Sequence, residues 1–259
     1  WLKAHSFYEE VHMLLIPLHA FSVLALLVAC GNALEKDGPQ EATQSVEALT
    51  AYLKQHGSEA LTMPDSAGMR LLHWAAAGGN TAVIDALVSK GADPWDGTAT
   101  AEERSALHMA CSSGHSDVVQ HLLSDSLLKV RSRGAFTKKQ AVDSRDKRDM
   151  PCIHLAALGG HSDVLQVLAA ANADLQAETQ RSGTPLHAAA AVGQQDVVDA
   201  LLKLGSDPCA KNAKGKTARQ RAEDEEMDEV ISSLKEAEKK KGCAPASQDK
   251  KKRRKKKEL

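Results

Sequence analysis

Apolar positions recur along this chain in short runs that suit helices rather than strands. Val197, Val198, Leu201 and Leu202 fall at i, i+1, i+4 and i+5, the spacing of one helical face, and Gly205 stops that helix. Ahead of it Thr184-Pro185-Leu186-His187 opens a second short helix that Gly193 ends. The unit recurs. His73, His108, His154 and His187 occupy equivalent positions, Gln220 stands in their place in a degraded last copy, and the spacings are 35, 46, 33 and 33. A glycine follows each histidine by six residues, at Gly79, Gly114, Gly160 and Gly193. Apolar pairs follow at ten and eleven residues: Val83/Ile84, Val118/Val119, Val164/Leu165 and Val197/Val198. Four registers kept in phase predict a stack of two-helix repeats.

The unit length, the turn and two helices, and Thr184-Pro185-Leu186-His187 itself resemble the ankyrin repeat over about residues 42–240. The resemblance implies an all-α, helix-turn-helix repeat solenoid with short hairpin loops and degraded end caps, in which each unit buries its apolar face against its neighbours. The matches are imperfect in instructive places. Arg70-Leu71 stand where Thr-Pro is expected in the first full repeat, Ser105-Ala106 in the second, and Met150-Pro151-Cys152 is one register off in the third. The apolar residues Val46, Leu49, Tyr52 and Leu53 predict a helix over 42–56 ending at Gly57, the second helix of a degraded N-terminal unit. A charged copy from Gly215 to Leu234 would cap the other end. Between the second and third repeats the chain runs about 13 residues over the period. The insert 126–140 carries Lys129, Arg131, Arg133, Lys138 and Lys139 with no acidic residue, and reads as a solvated loop or a binding loop.

Outside the repeats the pattern changes. Residues 13–31 carry no charged side chain, and the region 1–34 reads as a signal peptide, a membrane anchor, or a helix packed on the first repeat. Gly31-Asn32-Ala33 suits cleavage, whereas the want of a basic n-region does not. The chain opens on Trp1, so Met13 is a candidate start. Residues 35–41 form a polar linker, and 241–259 a basic tail expected to be disordered.

Charge is polarised accordingly. The formal net charge is -1, yet from Lys239 onward there are 11 Lys/Arg against 2 Asp/Glu, a net of +9, and the remainder has 22 against 32, a net of -10. Lys250, Lys251, Lys252, Arg253, Arg254, Lys255, Lys256 and Lys257 are consecutive. Such a run attracts nucleic acid or an anionic membrane surface without reading sequence, and it also looks like a nuclear import signal. Lys256-Lys257-Glu258-Leu259 resembles both the luminal and the dilysine endoplasmic reticulum retrieval signals. The expected location is the endomembrane system, with cytoplasm or nucleus as the alternative.

Nothing in the chain signals catalysis. The 11 histidines include the four signature residues, and His115 and His161 after the glycines; the resemblance gives all six structural roles. No metal-ligand spacing, phosphate-cradling loop or nucleophile elbow is present, so no metal, cofactor or catalytic residue is expected. The 5 cysteines form no metal-ligand pairs, and Cys111, in a small-residue position, reads as a buried thiol of a reducing compartment.

The expected function is therefore recognition: a non-catalytic scaffold or adaptor, monomeric, binding a protein partner. The resemblance places partner contacts on the concave face and hairpin tips, at Met69, Arg104, Arg148, Met150, Leu158, Arg181 and Val192, with Trp74, Met109 and Leu155 as a ladder beside the histidines. Trp95 is a further anchor or a loop-packing residue. The alternative function is a tether working through its basic tail.

Overall fold

The computed structural model describes residues 38–130 and 137–243. The apolar segment 13–31 and the basic run 250–257 lie outside the described residues, as do Arg131 and Arg133. Among the described residues no helix is long and apolar enough to cross a membrane.

The elements in order are α1 (Pro39–Ala42), α2 (Val46–His56), a single 3-10 turn (Ser58–Leu61), α3 (Leu71–Ala77), α4 (Thr81–Ser89), α5 (Ala106–Ser113), α6 (Ser116–Leu122), α7 (Asp125–Leu128), α8 (Lys138–Val142), α9 (Cys152–Gly159), α10 (Ser162–Ala170), α11 (Pro185–Ala191), α12 (Gln195–Lys203), α13 (Ala218–Asp224) and α14 (Asp228–Lys241). They form two layers. One is the series α1, α3, α5, α9, α11, α13, each packed on the next; the other is α2, α4, α6, α10, α12, α14. Contacts between sequential partners such as α3 with α4 and α11 with α12 join the layers. The apolar pairs read from the sequence lie between them, with Val83, Ile84, Val118, Val119, Val164, Leu165, Val197 and Val198 all fully buried. The all-α repeat solenoid is thus the architecture of the described residues.

Hairpins connect the repeats, and one backbone bond recurs in each. It runs from Asp65 N to Met69 O (2.8 Å), Thr98 N to Arg104 O (2.8 Å), Asp146 N to Met150 O (3.1 Å), Thr179 N to Gly183 O (3.0 Å) and Asn212 N to Lys216 O (3.0 Å). The second hairpin encloses two residues more than the others, which accounts for the spacing of 35 rather than 33. The first residue of each turn holds it by accepting backbone N–H bonds. Asp65 Oδ1 accepts from Ala67 and Met69, Asp146 Oδ1 from Arg148 and Met150, and Asn212 Oδ1 from Lys214 and Lys216. These are Asx turns, in which a short polar side chain replaces a backbone acceptor.

The glycines six residues after the histidines sit with positive φ, 82° at Gly114 and at Gly160. At Gly114 a second constraint applies: a Cβ there would lie 2.5 Å from the imidazole Nδ1 of His161, one repeat later. The ring sits in that space and reaches Ser112 O at 3.0 Å through Nε2; His115 reaches Ala77 O at 2.8 Å in the same way. Glycine is needed for backbone conformation and for close approach together.

Several boundaries differ from the sequence expectation. The N-terminal unit has both helices, because α1 begins at Pro39 inside the expected linker and Ser45 caps a separate α2 through a 3.1 Å bond from Ala48 N. Asn80 Nδ2 donates to Thr43 O and Gln44 O, tying that unit to the first full repeat. Val46, expected on the apolar face, is 37% exposed. The insert is anchored at both described ends. Leu127 and Leu128 in α7, and Ala141 and Val142 in α8, are buried, while Lys129, Lys138 and Lys139 are exposed. Trp95 is a packing residue, set against the core with its indole N–H 3.4 Å from Leu127 O.

The cysteines also differ. Cys111 is not a free thiol: it is bonded to Cys152, with Cα atoms 5.6 Å apart, across the contact between α5 and α9. A second disulfide joins Cys209 to Cys243, with Cα atoms 5.5 Å apart. The expectation of a reducing compartment loses its support, since disulfides persist in oxidising surroundings.

Candidate functional site

The inner layer α3, α5, α9, α11 and α13 is organised by its histidines. Each lies one turn into its helix, and Nε2 reaches a carbonyl of the next hairpin: His73 to Asp96 O (3.0 Å), His108 to Ser144 O (3.1 Å), His154 to Gly183 O (2.8 Å) and His187 to Lys216 O (2.9 Å). Carbonyls accept, so Nε2 carries the proton. On the other side Nδ1 accepts from the N-cap backbone, with Arg70 N at 3.2 Å, Ser105 N at 3.3 Å and Thr184 N at 3.3 Å. The Ser105 and Thr184 hydroxyls add a 2.8 Å bond each. Gln220 copies the reach in the last unit, its Oε1 accepting from Thr217 N at 3.0 Å.

The third repeat breaks the pattern. Its N-cap is Pro151, which has neither N–H nor hydroxyl, and Nδ1 of the fully buried His154 has no hydrogen-bond partner. The register slip noted in the sequence thus places proline at the capping position itself.

Burial keeps these imidazoles neutral. Loss of solvation pushes His73 and His154 down to about 4 against the opposing pull of the carbonyl bond, and His108 and His187 shift in the same direction for the same reason. Neutral rings bonded to the backbone, on both sides at His73, His108 and His187 and on one side at His154, position hairpins. They are ill suited to proton transfer, and among the described residues no cluster of three or more His, Cys, Asp or Glu side chains could hold a metal ion.

The expected partner contacts fall into two groups. Trp74, Met109, Leu158 and Val192 are half-buried on or beside the inner helices, leaving apolar surface on that layer. Met69, Met150 and Leu155 do not remain exposed: they retain 9%, 8% and 6% of their surface, and Met150 and Leu155 belong to the core. Each of the two methionines closes its hairpin turn, with its backbone N–H bonded to Asp65 Oδ1 or Asp146 Oδ1. Trp74 is oriented by a 2.7 Å bond from its indole N–H to Asp65 Oδ2.

The arginines divide as well. Arg104 donates through Nε to the fully buried carboxylate of Asp146 at 3.1 Å, so it braces one hairpin against the next. Arg148 pairs with Glu102, and Lys147 with Glu103, across the same two hairpins. Arg181 is exposed, with no ion-pair partner among the described residues. Sequence reasoning missed the acceptors Asp65, Asp146 and Asn212, although their place four residues before the hairpin closes was a readable signal.

Comparison with known families agrees with this geometry. A family profile described as ankyrin repeats (3 copies) matches residues 40–134 and 134–212, most of the chain. The chain belongs to the ankyrin repeat family. Ankyrin repeats are in general protein–protein interaction modules and are typically non-catalytic. The unpartnered Nδ1 of His154 is therefore an irregularity within an ankyrin stack.

Proposed function

We propose that this chain is a non-catalytic scaffold or adaptor that binds a protein partner across the inner helices and hairpin tips of its repeats. The observation that carries the reading is the set Trp74, Met109, Leu158 and Val192, large apolar side chains left half-buried on or beside helices whose histidines are sealed. Trp74 is already oriented by its bond to Asp65 Oδ2, so little of its side-chain freedom is lost on binding. The exposed Arg148 and Arg181 at the hairpins supply a polar rim, and aromatic, Met and Arg side chains are enriched at interface cores. Met69, Met150 and Leu155 support the surface from beneath rather than touching a partner.

The test is selection of binders to the full chain from a random peptide library, followed by titration against variants. Met109→Glu with Leu158→Glu should weaken the selected peptides at least about tenfold, and deletion of residues 239–259 should change little. Binding that survives both substitutions, disappears with the tail and falls steeply with salt would overturn the scaffold reading in favour of a basic tether.

A further inference from the structure

The two disulfides differ in what reaches them. Cys111 and Cys152 are both fully buried between α5 and α9, where an attacking thiol would have to open the core. Cys209 and Cys243 are half-exposed, the first in the turn after α12 and the second just beyond α14. Thiol–disulfide exchange needs a thiolate to reach one sulfur, so access separates the pairs.

The neighbourhood of the exposed pair adds a chemical reason. Lys239, Lys240 and Lys241 form the last turn of α14, and Lys241 Nζ lies 3.1 Å from Asp207 Oδ1, which also accepts from Cys209 N at 3.0 Å. Lys240 is paired with Glu236 at 2.8 Å and Lys241 with Asp207, so the net positive charge of this turn comes from Lys239, and that surplus favours a departing thiolate and the approach of anionic thiols. Glu238 is engaged elsewhere, accepting from Thr217 Oγ1 at 2.9 Å and Arg219 Nε at 2.7 Å.

The packing of α14 bounds the consequence. Its buried side chains, Val230 and Leu234, lie in the first two turns. Beyond Leu234 no side chain of this helix is fully buried, so the last turn is held by the Glu238 bonds, the Lys241–Asp207 pair and the disulfide. The basic run starts at residue 250, shortly after this tie.

We infer that Cys209–Cys243 is a thiol-exchange site for small anionic thiols, which opens the end of the C-terminal cap and frees the anchoring point of the basic run. The Cys111–Cys152 bond stays closed throughout. A thiolate attacks one sulfur, forming a mixed disulfide and releasing the other cysteine as thiolate, which takes up a proton. A second thiol resolves the mixed disulfide. In sum two thiols are oxidised to one disulfide, and the Cys209–Cys243 bond is reduced to two thiols. This goes beyond partner binding and holds whether or not the inner layer binds a protein.

The experiment uses the oxidised full chain in native buffer with reduced glutathione, quenched at intervals with N-ethylmaleimide and read by peptide mass spectrometry. Cys209 and Cys243 should be labelled at least about tenfold faster than Cys111 and Cys152. Amide exchange over residues 235–243 should rise about tenfold on reduction, with α3 to α11 unchanged. The Cys209→Ser, Cys243→Ser double variant should show the same raised exchange without thiol. Equal labelling of the two pairs, resistance of both, or exchange rising through the whole stack would overturn the inference.

Discussion

The third and fourth repeats share a backbone and part company at two residues. Thr184-Pro185 opens the fourth inner helix, and Pro151-Cys152 opens the third. The N-cap dihedrals nearly coincide, φ -78° and ψ 159° at Pro151 against -77° and 166° at Thr184, so the chain path did not change with the residues. What changed is how the helix start is held. In the fourth repeat the cap's N–H and hydroxyl both reach His187 Nδ1, and in the third nothing reaches His154 Nδ1. Cys152, in the place of Pro185, is instead joined to Cys111 of the preceding repeat. A covalent tie to a neighbour stands where a local cap would otherwise act, which teaches that the signature is a set of separable devices for one end: fixing a hairpin on a helix.

Acid should have the largest effect, acting through all four signature imidazoles, those of the third and fourth repeats included. The signature imidazoles have folded-state values below the ordinary histidine value of 6.5, about 4 for His73 and His154. Between those values the unfolded chain binds more protons than the folded one. The stability these rings contribute is therefore fully present above pH 6.5 and lost as pH falls toward 4, at up to about 1.4 kcal/mol per pH unit for each ring. Urea midpoints measured from pH 7 to 4 should fall continuously over that window. His187→Ala and His154→Ala should each flatten the curve, and a midpoint independent of pH would show that the rings are not buried as described.

Next comes the crosslink. The two disulfides span 41 and 34 residues, and on the chain-entropy argument each stabilises by about 4 kcal/mol, so loop length does not distinguish them. Their positions do. Loss of Cys111–Cys152 as Ser/Ser puts two hydroxyls into the core and should lower thermal stability more than loss of Cys209–Cys243, which leaves its ends in contact with solvent. Equal melting shifts for the two double variants would break the comparison.

Truncating the histidines gives a smaller and unequal pair of effects. His187→Ala removes three bonds, to Thr184 N, Thr184 Oγ1 and Lys216 O, and should cost about 3 kcal/mol. His154→Ala removes only the bond to Gly183 O and should cost about 2 kcal/mol. Chemical denaturation of both variants checks the difference, and a larger loss at His154 would contradict the account of the caps.

How much of this was legible in the sequence depends on the range of the interaction. The histidines, glycines and apolar pairs repeat at fixed spacing because each acts within one unit or on the next, and they predicted the layers. The two disulfides were missed for different reasons. Cys209 and Cys243 stand 34 residues apart, close to one repeat, so equivalent places in successive units were a readable signal. Cys111 and Cys152 are 41 apart across the insert, which hides that they lie on adjacent inner helices. Met69 and Met150 were expected at the surface because family position says which slot a residue fills but not how much of its side chain the packed units leave exposed. Trp74, Met109, Leu158 and Val192 keep part of their surface, whereas Leu155, in the register of Trp74 and Met109, is buried, so register alone did not decide exposure.

The smallest change sharpens the comparison most. Pro151→Thr requires no new backbone conformation, because Thr184 already adopts nearly the same dihedrals in the same role. It would bring an N–H and a hydroxyl to the unpartnered Nδ1 of His154, removing the cost of a buried acceptor left unmade. Against that stands the loss of proline's restriction of the unfolded chain, worth up to about 1 kcal/mol. The bonds outweigh it, since a buried unsatisfied group costs about 1–3 kcal/mol, and the net gain should be about 1 kcal/mol, read as a rise of a few degrees in melting temperature. The second readout is more specific. A donor on Nδ1 favours the neutral ring, so His154 should titrate lower still, with its Nδ1 nitrogen resonance shifted toward the hydrogen-bonded value. A variant that melted higher without moving that titration would mean that its gain comes from somewhere other than the cap.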